Sequence, residues 1–316
     1  MDVSERPDLL PHSQVGMLEH REGISWLIES LWLENAAGII GGQPKCCKSW
    51  LGLDMAVSVA SNTPCLNRFA VKTGGRALVY LAEDAVESVQ NRVQCICNGR
   101  NISIHSLDLV VITAPTVRLD NEWDQKRLCS TVEYLSPKLL LLDPLVRLHR
   151  LDENNARDIA GLLGFLREIQ RKAQCAIVIA HHASKRACSR PGQGLRGTSD
   201  LHAFGDSNLY LSRDADDTIE LVTEHRSAPA HAPLRLRLHN MENATHLEVI
   251  DTLTTPAAPN LDQRILDYLS GFTQPVQRLS VRTALRCNNQ RFGQTISALL
   301  AAGKIIATPD GLHLPL

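Results

Sequence analysis

The chain has 316 residues, a formal net charge of −1 and nine scattered cysteines. This length accommodates an α/β core with a small second domain, and the near-neutral charge restricts any nucleic-acid binding to a local patch. The sequence shows no secretory signal, no run of about 18 apolar residues and no zinc-ligand spacing, so we expect a cytoplasmic protein with reduced thiols and no membrane association.

The first predicted elements lead into a glycine-containing loop. Residues 1–22 contain two prolines and no clear period, which indicates an N-terminal arm. Residues 23–34 place apolar side chains on one helical face, so we expect a helix there. Residues 36–40 predict a short strand and residues 48–60 a helix, with the glycines between them.

The middle of the chain alternates between strands and helices. Nearly continuous apolar runs predict buried strands at residues 76–82, 107–112, 139–142 and 176–180. The stretches between them predict helices at residues 86–97, 122–135 and 155–172. This alternation predicts an α/β domain over residues 23–251 with a mostly parallel central sheet. Shorter strand-like segments at residues 207–212, 218–223 and 234–238 predict an antiparallel extension of its edge.

The end of the chain predicts a separate domain. Residues 252–260 are rich in Thr, Pro and Ala, as is typical of a linker. Three short helices and a hairpin are then expected, which together predict a winged-helix-like domain over residues 261–316. Residues 256–316 carry six Lys/Arg and three Asp/Glu, a balance of about +3. This domain is expected to bind either DNA or a protein.

A phosphate-binding loop is predicted between the first strand and its helix. The sequence matches G-x4-G-K-[ST] at three of its four fixed positions, and the residues expected at a nucleotide are Gly42, Gln43, Pro44, Lys45, Cys46, Cys47, Lys48, Ser49 and Trp50. Backbone N–H groups and the helix N-terminus would bind phosphate. Lys48 would bridge the β- and γ-phosphates of ATP, and the Ser49 hydroxyl would hold Mg²⁺. The alternative is a simple strand-to-helix turn.

Cys47 departs from this motif because it stands where the motif has glycine. A Cβ atom at this position restricts the backbone and crowds the phosphate. We therefore expect nucleotide binding to survive, whereas efficient turnover is open to question.

Acidic residues follow two of the predicted strands. Asp143 ends the run of leucines at 139–142, where a carboxylate would point into the ligand crevice and hold Mg²⁺. Glu83 follows the strand at 76–82 and is the candidate general base that orients the attacking water. Asp84 is expected to cap the next helix. Glu83 as a second cap and Asp143 as a turn former are the alternatives.

Two histidines and a basic loop follow the strand at 176–180. Of His181 and His182, at most one is expected to sense the γ-phosphate, and a zinc site is the weaker alternative because no further ligand has suitable spacing. The loop at residues 184–199 carries four Lys/Arg, which favours contact with nucleic-acid phosphates over a merely solvated connection.

These motifs together resemble the RecA-like ATPases related to plasmid RepA hexameric replicative helicases. The resemblance is carried by GGQPKCCKSW, LVYLAED, LLLLDPLVRLHRLDENNAR, IAHHASK and LRGTSD, over roughly residues 24–240. It implies a hexameric or ring-forming ATPase with nucleotide at its subunit interfaces. It also implies catalytic roles for Lys48, Glu83 and His182, with Ser49 and Asp143 holding Mg²⁺.

The arginine finger of that family has no direct counterpart here. The strand after the 184–199 loop contains no arginine before Arg213. The related DnaB-type ring ATPases instead carry the finger in Lys-x-Arg on a later strand, and the similar region here reads Glu224-His225-Arg226. This resemblance implies Arg226 as the finger candidate, with Arg213 as the reserve. A surface role is the alternative for Arg226.

Two functions remain open from the sequence. The first is a Mg-ATP-dependent, oligomeric ATPase acting on DNA, single-stranded by preference, as a helicase or a replication or mobile-element factor. The second is a nucleotide-responsive DNA-binding regulator that scarcely hydrolyses ATP because of Cys47.

Overall fold

The computed structural model describes residues 23–153, 155–182, 199–214, 218–241, 243–250, 261–272, 274–285 and 289–315. The chain divides into two compact units, with the boundary between Ile250 and Asp251. The predicted arm at 1–22, the basic loop except its last residue, and the linker at 252–260 lie outside the described residues.

The first unit begins with a hairpin in place of the predicted helix over residues 23–34. Strand β1 (Trp26–Ile28) pairs antiparallel with β2 (Trp32–Leu33). The helix prediction was wrong because the apolar residues are consecutive within each strand and Ser30, between them, has a left-handed φ of 60°. Ile24, on the proposed helical face, is 45% exposed.

A nine-stranded sheet forms the centre of this unit. Its strand order is β11-β10-β9-β8-β3-β7-β6-β4-β5. The strands are β3 (Ala37–Gly42), β4 (Ala77–Leu81), β5 (Leu109–Val111), β6 (Leu139–Asp143), β7 (Ala176–His182), β8 (Ser207–Arg213), β9 (Ile219–His225), β10 (Leu234–His239) and β11 (His246–Val249). Strands β3 to β8 pair in parallel, and β8 to β11 continue as an antiparallel extension. The predicted mostly parallel α/β sheet is confirmed, although β11 was not predicted.

Helices cover both faces of the sheet. They are α1 (Lys48–Ser61), α2 (Val86–Gly99), α3 (Glu122–Leu135), α4 (Ala156–Ala173) and α5 (Ser199–Phe204). One apolar cluster packs residues of α1 and α2 against the sheet, and a second packs residues of α3 and α4 against the other face. Burial on both faces explains why β4, β6 and β7 were visible as continuous apolar runs. The prediction of a buried strand at 107–112 was wrong in its burial, because β5 lies at the edge of the sheet and is only partly buried.

The second unit contains three helices followed by a hairpin. These are α6 (Leu261–Ser270), α7 (Arg278–Ala284), α8 (Asn289–Ala301), β12 (Ile306–Thr308) and β13 (Gly311–His313). Ile265, Val281, Ile296 and Leu312 belong to its apolar core. The elements follow the predicted order, while the winged-helix-like identity stays a prediction.

Two further properties concern the described residues as a whole. No helix in the described ranges is both long and apolar enough to span a bilayer. The cysteines within those ranges are free thiols, among them Cys46 and Cys47 in the predicted phosphate loop.

A buried ion pair joins α1 to the end of α2. Asp54 Oδ2 lies 2.6 Å from Arg100 Nη2, and their side chains are only 2% and 4% exposed. Asp54 Oδ1 also accepts a hydrogen bond from the Leu66 N–H at 2.8 Å, and Arg100 Nη1 donates to Ser58 Oγ at 2.7 Å. These bonds compensate the loss of hydration that both charges undergo on folding.

We expect Asp54→Asn to lower the free energy of unfolding by about 3 kcal/mol, because it leaves the Arg100 guanidinium buried without a counter-charge. The matched control is Asp108→Asn, which breaks a partly exposed pair with Arg76 and should cost less than about 1 kcal/mol. Urea unfolding measures both values. Similar losses for the two variants would contradict a special role for the buried pair.

Candidate nucleotide site

The predicted phosphate loop lies between β3 and α1. Strand β3 is buried throughout, and α1 begins at Lys48. Gly42 is required where the loop begins, because a Cβ atom there would lie 2.5 Å from the Leu211 carbonyl oxygen and 2.6 Å from Cys46 Sγ. The loop therefore turns in a space that admits no side chain at its first position.

Lys48 is buried inside this turn. Its Nζ donates hydrogen bonds to the carbonyl oxygens of Gly42, at 3.0 Å, and Gln43, at 2.9 Å. Cys46 Sγ lies 3.9 Å from the same nitrogen. The ammonium group is thus held at the N-terminus of α1, where backbone N–H groups and the helix dipole also favour an anion.

Cys47 adopts the conformation that the replaced glycine would provide. It is the N-cap residue of α1, with φ 66° and ψ 27° in the left-handed region. Its Sγ accepts a hydrogen bond from Arg213 Nη2 at 3.3 Å. Burial raises the pKa of the Cys47 thiol, while Arg213 and Lys48 act in the opposite direction. A non-glycine residue in this region carries backbone strain of about 1 kcal/mol.

Asp143 lies at the carboxyl end of β6 and is only 6% exposed. Burial raises the pKa of its carboxyl group, and the hydrogen bond from Ser49 and the charge of Lys48 oppose this rise. Its Oδ2 atom is buried without a hydrogen-bond partner among the described residues. A buried carboxylate oxygen beside a serine hydroxyl is a donor set that suits Mg²⁺, so these residues fit the predicted metal role.

The two acids after β4 are each paired with an arginine. Glu83 Oε1 accepts a hydrogen bond from Arg147 Nε at 2.6 Å. Asp84 was predicted to cap α2, and this prediction was wrong: Ala85 is the N-cap residue and provides no side-chain cap. The Asp84 carboxylate instead forms a bidentate pair with Arg92, at 2.8 and 2.9 Å.

The two histidines at the end of β7 face different surroundings. His182 is part of the lining of the same cavity as the phosphate loop, and its contact with a nucleotide stays a prediction. His181 is buried, and its Nδ1 lies 3.8 Å from Glu153 Oε1. His149 Nε2 lies at the same distance from that oxygen. Within the described residues, no group of three or more His, Cys, Asp or Glu side chains is arranged so that it could hold a metal ion.

A cavity of about 490 Å³ brings most of the predicted residues together. Its lining consists of Pro44, Lys45, Cys47, Lys48, Ser49, Trp50, Glu83, Asp84, Arg92, Asp143 and His182. The pairing of Gly42 with His182 and of Leu81 with Asp143 explains this convergence, because the carboxyl ends of the parallel strands meet at one edge.

The two arginine candidates lie at opposite ends of β8. Arg226 follows β9, and its backbone N–H donates to the Asp206 carbonyl oxygen, near the start of β3. Its guanidinium donates to the Ala203 carbonyl oxygen. It is therefore not brought to the cavity of its own chain. Arg213, in contrast, contacts Cys47 at the phosphate loop.

The sequence did not reveal Arg92 and Arg147. Arg92 pairs with Asp84 and stands over the Trp50 ring, with its Cζ 5.9 Å from the ring centroid. Arg147 reaches Glu83, which lies 64 positions earlier in the chain. Arg92 lies eight residues after Asp84 and could have been considered as its partner, whereas the Arg147 contact depends on the pairing of β4 with β6.

We expect Cys47→Gly to raise the free energy of unfolding by about 1 kcal/mol, because glycine adopts a left-handed conformation without strain. Cys47→Ala is the control, since it keeps the Cβ atom and removes only the thiol contact with Arg213. Thermal unfolding compares the variants. An equal gain for alanine would show that the thiol, and not the backbone, is the source of the strain.

Comparison with known proteins shows the family and the fold of this chain. Residues 4–187, more than half of the chain, match the family AAA_25, described as an AAA domain. A DnaB-like replicative helicase, solved for its interactions with primase, is 14% identical with a TM-score of 0.51, and the match covers 67% of this chain and 57% of the helicase chain. The RadB recombinase is 14% identical with a TM-score of 0.50, over 69% of this chain and 92% of that chain. At this identity the structural matches establish the fold alone. The chain belongs to the AAA-domain family AAA_25 and has the fold of the RecA-like P-loop ATPases.

Proposed function

We propose that this chain is a Mg-ATP-dependent ATPase that acts on DNA within a homo-oligomeric ring, in the manner of the RepA-related helicases. The observation that carries the proposal is that Lys48, Ser49, Glu83, Asp143 and His182 all line one cavity. Phosphoryl transfer requires few protein groups, namely a phosphate cradle, metal ligands and a residue that orients water. Each of these has a candidate in the cavity lining.

The residues divide the chemistry between them. Ser49 and Asp143 would hold Mg²⁺, which neutralises charge on the β- and γ-phosphates when it is bound. Lys48 would exchange its carbonyl partners for phosphate oxygens, and Glu83 would orient the attacking water. His182 would contact the γ-phosphate from the end of β7. Arg226 of a neighbouring subunit is the proposed finger, and Arg213 is the reserve.

Action on DNA rests on three supports. The two similar structures are a replicative helicase and a recombinase. The sequence carries a basic segment at 184–199, after β7, that is predicted to be a loop, and residues 256–316 have a balance of about +3. Single-stranded DNA is the proposed partner, and a basic segment can bind its phosphates without base-specific contacts.

The left-handed backbone at Cys47 favours one further candidate function. Because this residue strains the loop at the position next to Lys48, the chain could bind ATP as a signal and regulate DNA binding with little hydrolysis. The two functions differ in turnover and not in nucleotide affinity.

We expect the wild-type protein to release phosphate from Mg-ATP, with further stimulation by single-stranded DNA, and Lys48→Ala to reduce release to background because the γ-phosphate loses its cation. Lys72→Ala is the control, since this exposed lysine pairs with Glu29 away from the cavity. A phosphate-release assay measures all three proteins. Wild-type turnover no greater than that of Lys48→Ala, with nucleotide binding retained, would favour the regulator.

We also expect ATP and Mg²⁺ to promote a closed oligomer, because the nucleotide would be bound between a phosphate loop and the Arg226 of the next subunit. Sedimentation velocity with and without Mg-ATP measures the assembly. Arg226→Ala should still assemble but should lose most of its turnover. A monomer under every condition would contradict the proposed interface, and Arg226→Ala turnover equal to the wild-type value would contradict Arg226 as the finger.

A further inference from the structure

Arg147 and Glu83 form an ion pair beside the cavity, with Nε and Oε1 separated by 2.6 Å. Glu83 follows β4 and lines the cavity, whereas Arg147 ends a short 3₁₀ helix, Leu145–Arg147, that follows β6. Because β4 and β6 are paired, both residues leave the same edge of the sheet. The Ala82 N–H donates to the Asp143 carbonyl oxygen at 2.7 Å and fixes this junction.

The backbone that carries Arg147 is firmly held. Its N–H donates to the Pro144 carbonyl oxygen at 3.1 Å, and its own carbonyl oxygen accepts from Arg118 Nη1 at 2.8 Å. Leu145, two residues before Arg147, and Leu148, directly after it, are fully buried. The guanidinium group therefore extends toward Glu83 from a backbone segment that is held in place.

The pair itself contributes little to the stability of the fold. The side chains of Arg147 and Glu83 are 61% and 45% exposed, and ion pairs at such positions stabilise proteins only weakly. The directional Nε–H bond nevertheless restricts the orientation of the carboxylate. Arg147 engages Oε1, and a carboxylate has a second oxygen that can accept a hydrogen bond from a water molecule.

We propose that Arg147 is a positioning residue that fixes the Glu83 carboxylate for its task as the water-orienting base. This inference rests on the proposed ATP hydrolysis. Arg147 does not line the cavity itself, so it acts through Glu83 and not on the nucleotide. A base must lie within hydrogen-bond reach of the attacking water, and a carboxylate free to rotate occupies that position for only part of the time.

The inference is tested in the full-length chain by a double-variant cycle of wild type, Arg147→Ala, Glu83→Gln and the double variant, together with Arg147→Lys and one control. We expect Arg147→Ala to lower kcat about ten-fold and to leave KM for Mg-ATP within about two-fold, because orientation is lost while phosphate binding is kept. In the Glu83→Gln background, Arg147→Ala should have no further effect on kcat. Arg147→Lys should restore part of the loss, since it keeps the charge without the planar N–H geometry.

Arg127→Ala is the matched control, because Arg127 is 56% exposed and pairs with Asp124 on α3, away from the cavity. Its kcat and KM should equal those of the wild type. Additive losses in the double variant, an equal loss for Arg127→Ala, or a rise in kcat on removal of Arg147 would overturn the positioning role while leaving ATP hydrolysis in place. A wild-type turnover no greater than that of Lys48→Ala would overturn the proposed hydrolysis itself, and the positioning role with it.

Discussion

Parallel pairing of β3 with its two neighbours determines where the candidate site residues lie. Gly42 pairs with His182 on β7 and with Leu211 on β8, so the phosphate loop emerges between these two strands. Because β6 follows β7 in the sheet, Asp143 reaches the same edge. A shift of one residue in any of these pairings would turn the side chains to the opposite face of the sheet. The chemistry of the cavity therefore depends on backbone hydrogen bonds that contain no catalytic group.

The residues at the carboxyl ends of the parallel strands could be predicted from the sequence, because strand burial produces a recognisable pattern of apolar residues. Strands covered on both faces must be continuously apolar, and a polar residue that ends such a run is conspicuous, as Asp143 and Glu83 are. Short elements gave no such signal. The hairpin β1–β2 contains too few residues to show a period, and its apolar content was compatible with a helix.

The partners of the charged side chains could not be predicted in the same way. Arg147 meets Glu83 only because β4 and β6 are neighbours in the sheet, and Arg100 meets Asp54 only because α1 and α2 pack together. These contacts are set by tertiary distances between residues far apart in the chain. The location of Arg226 illustrates the same limit, because the resemblance to ring ATPases indicated a candidate but not the end of the sheet at which it lies.

The hydrogen bonds of Lys48 have a consequence for how an anion would enter. An ammonium group has three donors. Two of them reach the carbonyl oxygens of Gly42 and Gln43, and the third direction is toward Cys46 Sγ at 3.9 Å. Sulfur is a weak acceptor, so the contact with the thiol is the first that a phosphate oxygen would replace, ahead of the proposed exchange of the two carbonyl partners. Residue 46 thus provides the contact that this ammonium group can give up at the lowest cost when an anion is bound.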